Sequence, residues 1–247
     1  MVLAKKIFAK IFAFFVVSKI KKSYANAAQI QINTLKSLIN KAKKTKFGIE
    51  HQFHKINSVE EYIDKVPVRD YEDIKKYIDE IKKGIKDILW PGKPKYLAKT
   101  SGTTSGVKYI PITNESMPNH ILSSRNALLF YIYETGDTSF LNGKTIFLQG
   151  SPVLDKINGI LIGRLSGIVA HHVPSYLKKN NLPSIKTNSI EDWEEKVSEI
   201  CRETINENMT TIGGIPSWVQ MYFEILLKKS NKKNITELFK GLSLFVY

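Results

Sequence analysis

The sequence predicts an α/β fold opened by a helical segment, and three observations carry that prediction. As far as Trp90, apolar residues recur at helical spacing with short punctuation. From Trp90-Pro91-Gly92 onward, short apolar runs alternate with helical stretches, the order of an α/β layer. The last apolar run, 242–246, enters the final residue, Tyr247, as a strand. We therefore expect residues 1–90 to form a helical segment packed on the body and residues 91–247 to form part of an α/β domain. The alternation implies a mixed or parallel sheet joined by right-handed crossovers. A parallel strand ordinarily leads on into a loop and helix, so the architecture reads as unfinished.

The elements follow in order. Residues 1–22 carry Lys5 and Lys6, an apolar run over 11–17 and a small-residue pattern at Ala25-Asn26-Ala27. Lys10 interrupts the apolar stretch, and Lys19, Lys21 and Lys22 follow it, whereas an export signal places its charge in front. The run also falls far short of the ~20 residues that span a bilayer. An amphipathic helix packed on the body is expected; attachment to an anionic lipid surface is the other reading of the same residues. Ile30, Leu35, Leu38 and Ile39 predict a second helix, with the Lys-rich stretch beyond it ending at Phe47-Gly48. Ser58 and Glu61 have capping-box spacing, and Val66-Pro67 closes that helix. Ile74, Tyr77, Ile78 and Ile81 form one stripe that stops at Gly84.

Beyond Trp90, residues 96–98 and 109–112 read as strands flanking a polar loop. A helix over 115–134 holds Pro118 in its first turn, and 145–149 is a buried strand. Ser189 is expected to cap a helix with Trp193, Val197, Ile200, Thr204 and Ile205 on one face. A strand near 209–212 and a helix opened by Pro216, suited to the first helical position, precede the last strand.

Composition narrows the function classes. The 37 Lys+Arg exceed the 23 Asp+Glu by a formal +14, yet Arg stands only at positions 69, 125, 164 and 202. Base readout favours the planar fork of Arg, and no nucleic-acid motif is present, so no nucleic-acid partner is expected. Much of the excess is local: through Glu50 there are eleven Lys and one acid. The single Cys excludes a disulfide framework and a cysteine metal cluster, and its helical position suggests plain burial. His171-His172 and the His51/His54 pair lack the spaced carboxylates or thiols of a ligand set, so structural or surface roles are expected and no metal site is assigned.

The stretch Thr100-Ser101-Gly102-Thr103-Thr104-Ser105-Gly106-Val107-Lys108 holds five hydroxyls, two glycines and a closing lysine. Glycines allow backbone N–H groups to turn onto a polyanion, hydroxyls add donors, and the ammonium adds full charge. It is not a Walker loop: Val107 stands five residues after Gly102, and Tyr109 follows Lys108. A flexible hairpin tip is the bland alternative.

This stretch resembles the phosphate-binding motif of adenylate-forming enzymes, Thr/Ser-Ser-Gly-Thr-Thr-Gly-x-Pro-Lys. Thr100 to Thr104 and Lys108 match in place, whereas Ser105 replaces the usual Gly and Val107 the usual Pro. The surroundings are similar to the auxin-responsive acyl acid–amido synthetase family, including its bacterial members. The supporting segments are Thr45-Lys46-Phe47-Gly48, Val66-Pro67-Val68-Arg69-Asp70-Tyr71-Glu72-Asp73-Ile74, Ile88-Leu89-Trp90-Pro91-Gly92, Lys108-Tyr109-Ile110-Pro111, Gly213-Gly214-Ile215-Pro216-Ser217-Trp218 and Leu244-Phe245-Val246-Tyr247. The resemblance implies the first part of an adenylate-forming large domain. It also implies a cytoplasmic ligase that uses ATP to turn a carboxylic acid into an acyl-adenylate and then passes the acyl group to an amino acid amine. By the same resemblance, Ser101, Thr103, Thr104 and Lys108 would hold the β- and γ-phosphates, with Lys108 stabilising charge. Gly102 and Gly106 would permit backbone approach, and Mg²⁺ would bridge the phosphates. The family continues past the position of Tyr247 with its adenine-stacking, Mg²⁺-binding and ribose-holding motifs and a mobile C-terminal domain. The resemblance thus marks this sequence as an N-terminal portion expected not to complete the reaction by itself.

Pro216, Trp218, Val219 and Tyr222 are candidates for the acyl-substrate pocket, with helix packing as the alternative. Arg125 is a candidate for the substrate carboxylate. Ser217 lies in no nucleophile elbow, because Gly-x-Ser-x-Gly is absent. An acyl-CoA ligase or a non-catalytic basic binding module would share the loop; the acceptor and the nucleotide response separate them.

Overall fold

The computed structural model describes residues 2–100 and 106–247, the side chains of Val2 and Tyr176 aside. The helices up to residue 90 are α1 (Val2–Tyr24), α2 (Ala27–Ala42), α3 (Lys46–Glu50), α4 (Val59–Lys65) and α5 (Tyr71–Lys82). Then come β1 (Tyr96–Lys99), β2 (Tyr109–Ile112), α6 (Met117–Thr135), β3 (Lys144–Leu148), β4 (Asp155–Ile157) and β5 (Ile160–Arg164). The chain goes on through α7 (Leu165–Ala170), α8 (Ser175–Lys178), β6 (Asn181–Leu182), α9 (Ile185–Asn188), α10 (Trp193–Thr204), β7 (Met209–Gly214), α11 (Pro216–Ser230), α12 (Ile235–Leu238) and β8 (Leu244–Val246). The mixed α/β class expected from the sequence is present.

The chain folds as two compact units. One comprises residues 18–122 and 154–165, the other residues 1–17, 123–153 and 166–247. The first holds a mixed sheet, order β2-β1-β5-β4, in which β1 and β5 are parallel and both outer pairs antiparallel. Its core joins α5 to this sheet: Tyr77, Ile78 and Ile81 lie buried with Leu97, Ile160 and Ile162. The stripe predicted on α5 is therefore the face that is packed, and Gly84, at φ +86°, ends it in the left-handed region. The β4–β5 hairpin was not expected, although Asn158-Gly159, both at positive φ, is the strongest two-residue hairpin signal.

The second unit holds an all-parallel sheet, order β6-β3-β7-β8. Every residue of β7 is buried, as a central parallel strand requires. Ile146, Leu148 and Ile212 of the sheet pack with Val197, Ile200 and Cys201 of α10 and Val219, Tyr222 and Leu226 of α11. Cys201 is thus a core side chain as expected, and burial pushes its thiol up to about 11.

Several local expectations are corrected. The side chain of Asp192, not Ser189, caps α10 by accepting the N–H of Glu195 at 2.8 Å. Ser189 instead ends α9, donating its hydroxyl back to the Ile185 carbonyl, and α10 starts only at Trp193. The Ser58/Glu61 pairing, by contrast, is present: Ser58 accepts the N–H of Glu61, and Glu61 reaches back to accept the N–H of Asn57. Phe47-Gly48 does not close the Lys-rich stretch; it lies inside α3, which Thr45 caps. On α2, Ile39 is buried while Ile30 and Leu38 are exposed, so its apolar stripe is only partly used. α1 is not amphipathic: Ala13 and Val17 are buried against Leu129, Ile132 and Phe140, yet large apolar side chains also cover its opposite face.

Candidate functional site

The predicted loop springs from the β1–β2 hairpin in the first unit. Tyr96↔Ile112 through Lys99↔Tyr109 are in antiparallel register, and one rung further the N–H of Thr100 donates to the Lys108 carbonyl at 3.0 Å. These two residues are the gateposts of the loop. Gly106 sits two residues before the second gatepost at φ +78°, with no atom of the described residues within 4 Å of where a side chain would start. That positive φ calls for glycine on conformational grounds alone. Ser101, Gly102, Thr103, Thr104 and Ser105 lie outside the described residues.

Charge gathers where the loop begins. β1 and β5 run parallel, so their carboxyl ends lie side by side, with Lys99 in register with Arg164. Loops at the carboxyl ends of parallel strands are where open α/β sheets place ligands. Lys99 is held by Asp155 at 2.6 Å. The Lys108 ammonium lies 5.5 Å from the centre of the Tyr71 ring, a cation–π distance. The Tyr71 hydroxyl in turn accepts the N–H of Tyr109 at 2.9 Å. Tyr71, the first residue of α5 after its Asp70 cap, therefore anchors both the strand and the lysine that close the loop. Sequence reasoning had assigned no role to Tyr71 or Arg164. Tyr71 lies in the segment from Val66 to Ile74 that supports the resemblance, and Arg164 lies in no motif; only the tertiary pairing brings them here.

The second group of candidates lies at the carboxyl end of the parallel sheet in the other unit. β7 ends in Gly213-Gly214, and a Cβ on Gly214 would come within 2.9 Å of the Leu148 backbone while φ stands at +148°. Only glycine lets β7 turn into α11 against β3 in this way. Pro216 takes the first helical position, as expected, and is exposed. Trp218 is half-buried and packs against Trp193, 4.4 Å between centroids with the rings tilted by 39°. Val219 and Tyr222 point into the core. The Tyr222 hydroxyl donates to Thr204 at 2.7 Å, and burial raises its phenol above the ordinary range.

Near the same strand ends stands a residue that sequence reasoning passed over. Lys196 is 3% exposed, and its ammonium donates to the carbonyls of Asn188 at 2.6 Å and Gln149, the residue after β3, at 3.2 Å. Its signal was available: a lysine three residues after Trp193 and four before Ile200 sits in the apolar phase of α10. Asn188 Oδ1 and Trp193 Nε1 are buried there without a protein partner.

The remaining candidates are placed plainly. Arg125 is exposed, bonded through its guanidinium to Asn126 and 5.7 Å from the Phe12 ring. His171 Nε2 bonds the Pro152 carbonyl, and His51 Nδ1 bonds the Phe47 carbonyl while stacking on that ring, so both serve structure. Among the described residues no group of three or more His, Cys, Asp or Glu could hold a metal ion. None of their helices is long and apolar enough to cross a membrane.

Comparison with known proteins follows from this arrangement. The solved structure of GH3.15 acyl acid amido synthetase matches over 80% of this chain and 35% of its own, with a TM-score of 0.65 at 23% identity. A complex of AtGH3.15 acyl acid amido synthetase with 2,4-DB matches over 92% and 44%, with a TM-score of 0.63 at 18% identity. These likenesses define the class: the α/β fold of acyl acid amido synthetase structures. Residues 16–244 match the GH3 family N-terminal domain, and the chain belongs to that family. Over 117 residues, 45% of this chain, it is 35% identical to the indole-3-acetic acid-amido synthetase GH3.15 of Arabidopsis thaliana, taking in 19% of that protein. The chain thus spans less than half the length of each of these relatives.

Proposed function

We propose that this chain carries the phosphate-grasping part of a cytoplasmic ATP-dependent ligase, which adenylates a carboxylic acid and transfers the acyl group to an amino acid amine. The observation that carries the reading is the hairpin: Thr100 and Lys108 are bonded as gateposts at the carboxyl ends of β1 and β5, where Arg164 adds positive charge beside the Lys99–Asp155 ion pair. A triphosphate needs such a convergence of N–H groups and cations. Ser101, Thr103, Thr104 and Ser105 would add hydroxyl donors from the loop between the gateposts, Gly102 and Gly106 would let its backbone approach, and Lys108 would neutralise charge.

Attack of a carboxylate on the α-phosphorus brings anions together and releases pyrophosphate, so catalysis depends on positioning and on donors that take up charge. Lys108, held over Tyr71 one rung beyond the last strand pair, needs little reorganisation to do this. Mg²⁺ bound with the triphosphate would supply further neutralisation. For the acyl group, Pro216 and Trp218 offer an apolar surface at the end of β7, backed by the buried Val219 and Tyr222, and the exposed Arg125 is a cation for the carboxylate.

Calorimetric titration with ATP and Mg²⁺ tests the reading. Residues 1–247 should bind, and Lys108→Ala should weaken binding by about tenfold, the loss of one charge-assisted contact. Equal affinity in wild type and Lys108→Ala, or no binding in either, would overturn it.

A further inference from the structure

The helix α1 is apolar on two opposite faces: the inner one is packed within the fold, whereas on the outer one Phe14 stacks on Tyr133, 6.3 Å between ring centres, and the rest of the row stays exposed. Ala13 and Val17 pack inward with Ala9 and Val16 against Leu129, Ile132 and Phe140. On the other face Leu3, Ile7, Ile11 and Phe14 follow one another at intervals of four, four and three, with Phe8 and Phe15 seven apart beside them. All six are exposed, Leu3 at 71%, Phe8 at 68% and Phe15 at 67%. Scattered apolar residues on a surface mean little; a contiguous row of this kind marks an interaction site.

Charge identifies the occupant. α1 contains six lysines and no Asp or Glu. At 100° per residue, Lys10 and Lys21 fall along one margin of the outer row and Lys19 along the other, beside Lys5, whose ammonium donates to the Leu141 carbonyl at 2.8 Å; Lys22 continues the arc of the row one turn and more beyond Phe15. Through Glu50 the chain carries eleven lysines against a single acid. A second copy of this helix would bring two lysine margins together, which like-charge repulsion disfavours. An anionic bilayer surface meets both features at once, because acyl chains receive the apolar row while lysine stems reach up to the phosphates. The helix is not long and apolar enough to span. We propose that the outer face of α1 is a docking surface for anionic lipid membranes, with the helix lying in the plane of the headgroups.

Co-sedimentation with vesicles tests this on the 1–247 protein. Vesicles of phosphatidylcholine with about a third phosphatidylglycerol should carry the protein down, pure phosphatidylcholine far less, and added salt should weaken the binding. The triple variant Phe8→Ser/Ile11→Ser/Phe15→Ser keeps every charge and alters only exposed side chains. It should lower partitioning at least about tenfold, with an unchanged urea midpoint showing that the fold is intact. Lys10→Glu/Lys19→Glu should lower it on anionic vesicles as well. The proposal is overturned by absence of sedimentation with either vesicle, or by triple-variant binding equal to wild type, which would reduce the effect to adsorption by charge. A concentration-dependent dimer abolished by the triple variant would also overturn it, by assigning the row to a second copy.

Discussion

The hydroxyl of Tyr71 accepts the main-chain N–H of Tyr109 at 2.9 Å, tying the start of α5 to the strand on which the Lys108–Tyr109 step is built. The same ring lies 5.5 Å from the Lys108 ammonium. Tyr71→Phe keeps the ring and removes the acceptor, leaving a part-buried N–H without its partner. It should cost about 1 kcal/mol, read as a lower urea midpoint at unchanged slope. Tyr71→Ala removes the ring too, and in the proposed reading should weaken ATP binding further than Tyr71→Phe does.

Gly106 and Gly214 both have positive φ, but their surroundings differ. No atom of the described residues crowds Gly106, so Gly106→Ala should cost the strain of a left-handed backbone, about 1 kcal/mol. Gly214→Ala would in addition force a methyl group to 2.9 Å from the Leu148 Cβ and carbonyl oxygen. We expect a loss of about 3 kcal/mol or more, seen as a fall in melting temperature of well over 5 °C or as insoluble expression.

The Glu203 carboxylate is partly desolvated, which pushes its pKa up, but hydrogen bonds from Ser184 and Thr187 outweigh this and hold it below the ordinary range. It accepts the Ser184 N–H, the Ser184 hydroxyl and the Thr187 hydroxyl, each at 2.6 Å. A carboxylate with a lowered folded pKa contributes stability above its unfolded pKa and loses it as pH falls through the folded value. Glu203→Gln should therefore lower stability at pH 7 by about 1–2 kcal/mol and by much less near pH 3, measured by urea denaturation at the two pH values.

Cys201 is buried beneath α11 with its thiol pKa raised to about 11. In the native protein at pH 8 it should react with Ellman's reagent at least about a hundredfold more slowly than in 6 M urea. Rapid native labelling would show that the α10–α11 core opens readily.

Local chemistry is legible in the sequence where a few neighbouring residues settle it. The stripe of Ile74, Tyr77, Ile78 and Ile81, the Pro216 start of α11 and the strands on either side of the 100–108 loop all follow from spacing alone. Ser189 and Asp192 were both competent caps. The choice fell to Asp192 because Ser189 is taken up in the end of α9 and α10 starts only at Trp193, and a local rule cannot see an element it has not predicted. The hairpin at Asn158-Gly159 was readable and was passed over.

The sequence by itself determined the α/β class, most helix and strand positions, and the residue types that close the polar loop, because each rests on periodicity or on contacts a few residues apart. Only the tertiary structure decided that the strands divide between two sheets and that Arg164 stands beside Lys99. It alone also set Tyr71 beneath Lys108, Lys196 inside a core, and the second apolar face of α1 toward solvent. Those outcomes depend on pairing between residues tens of positions apart, and that choice is made by packing the whole chain at once.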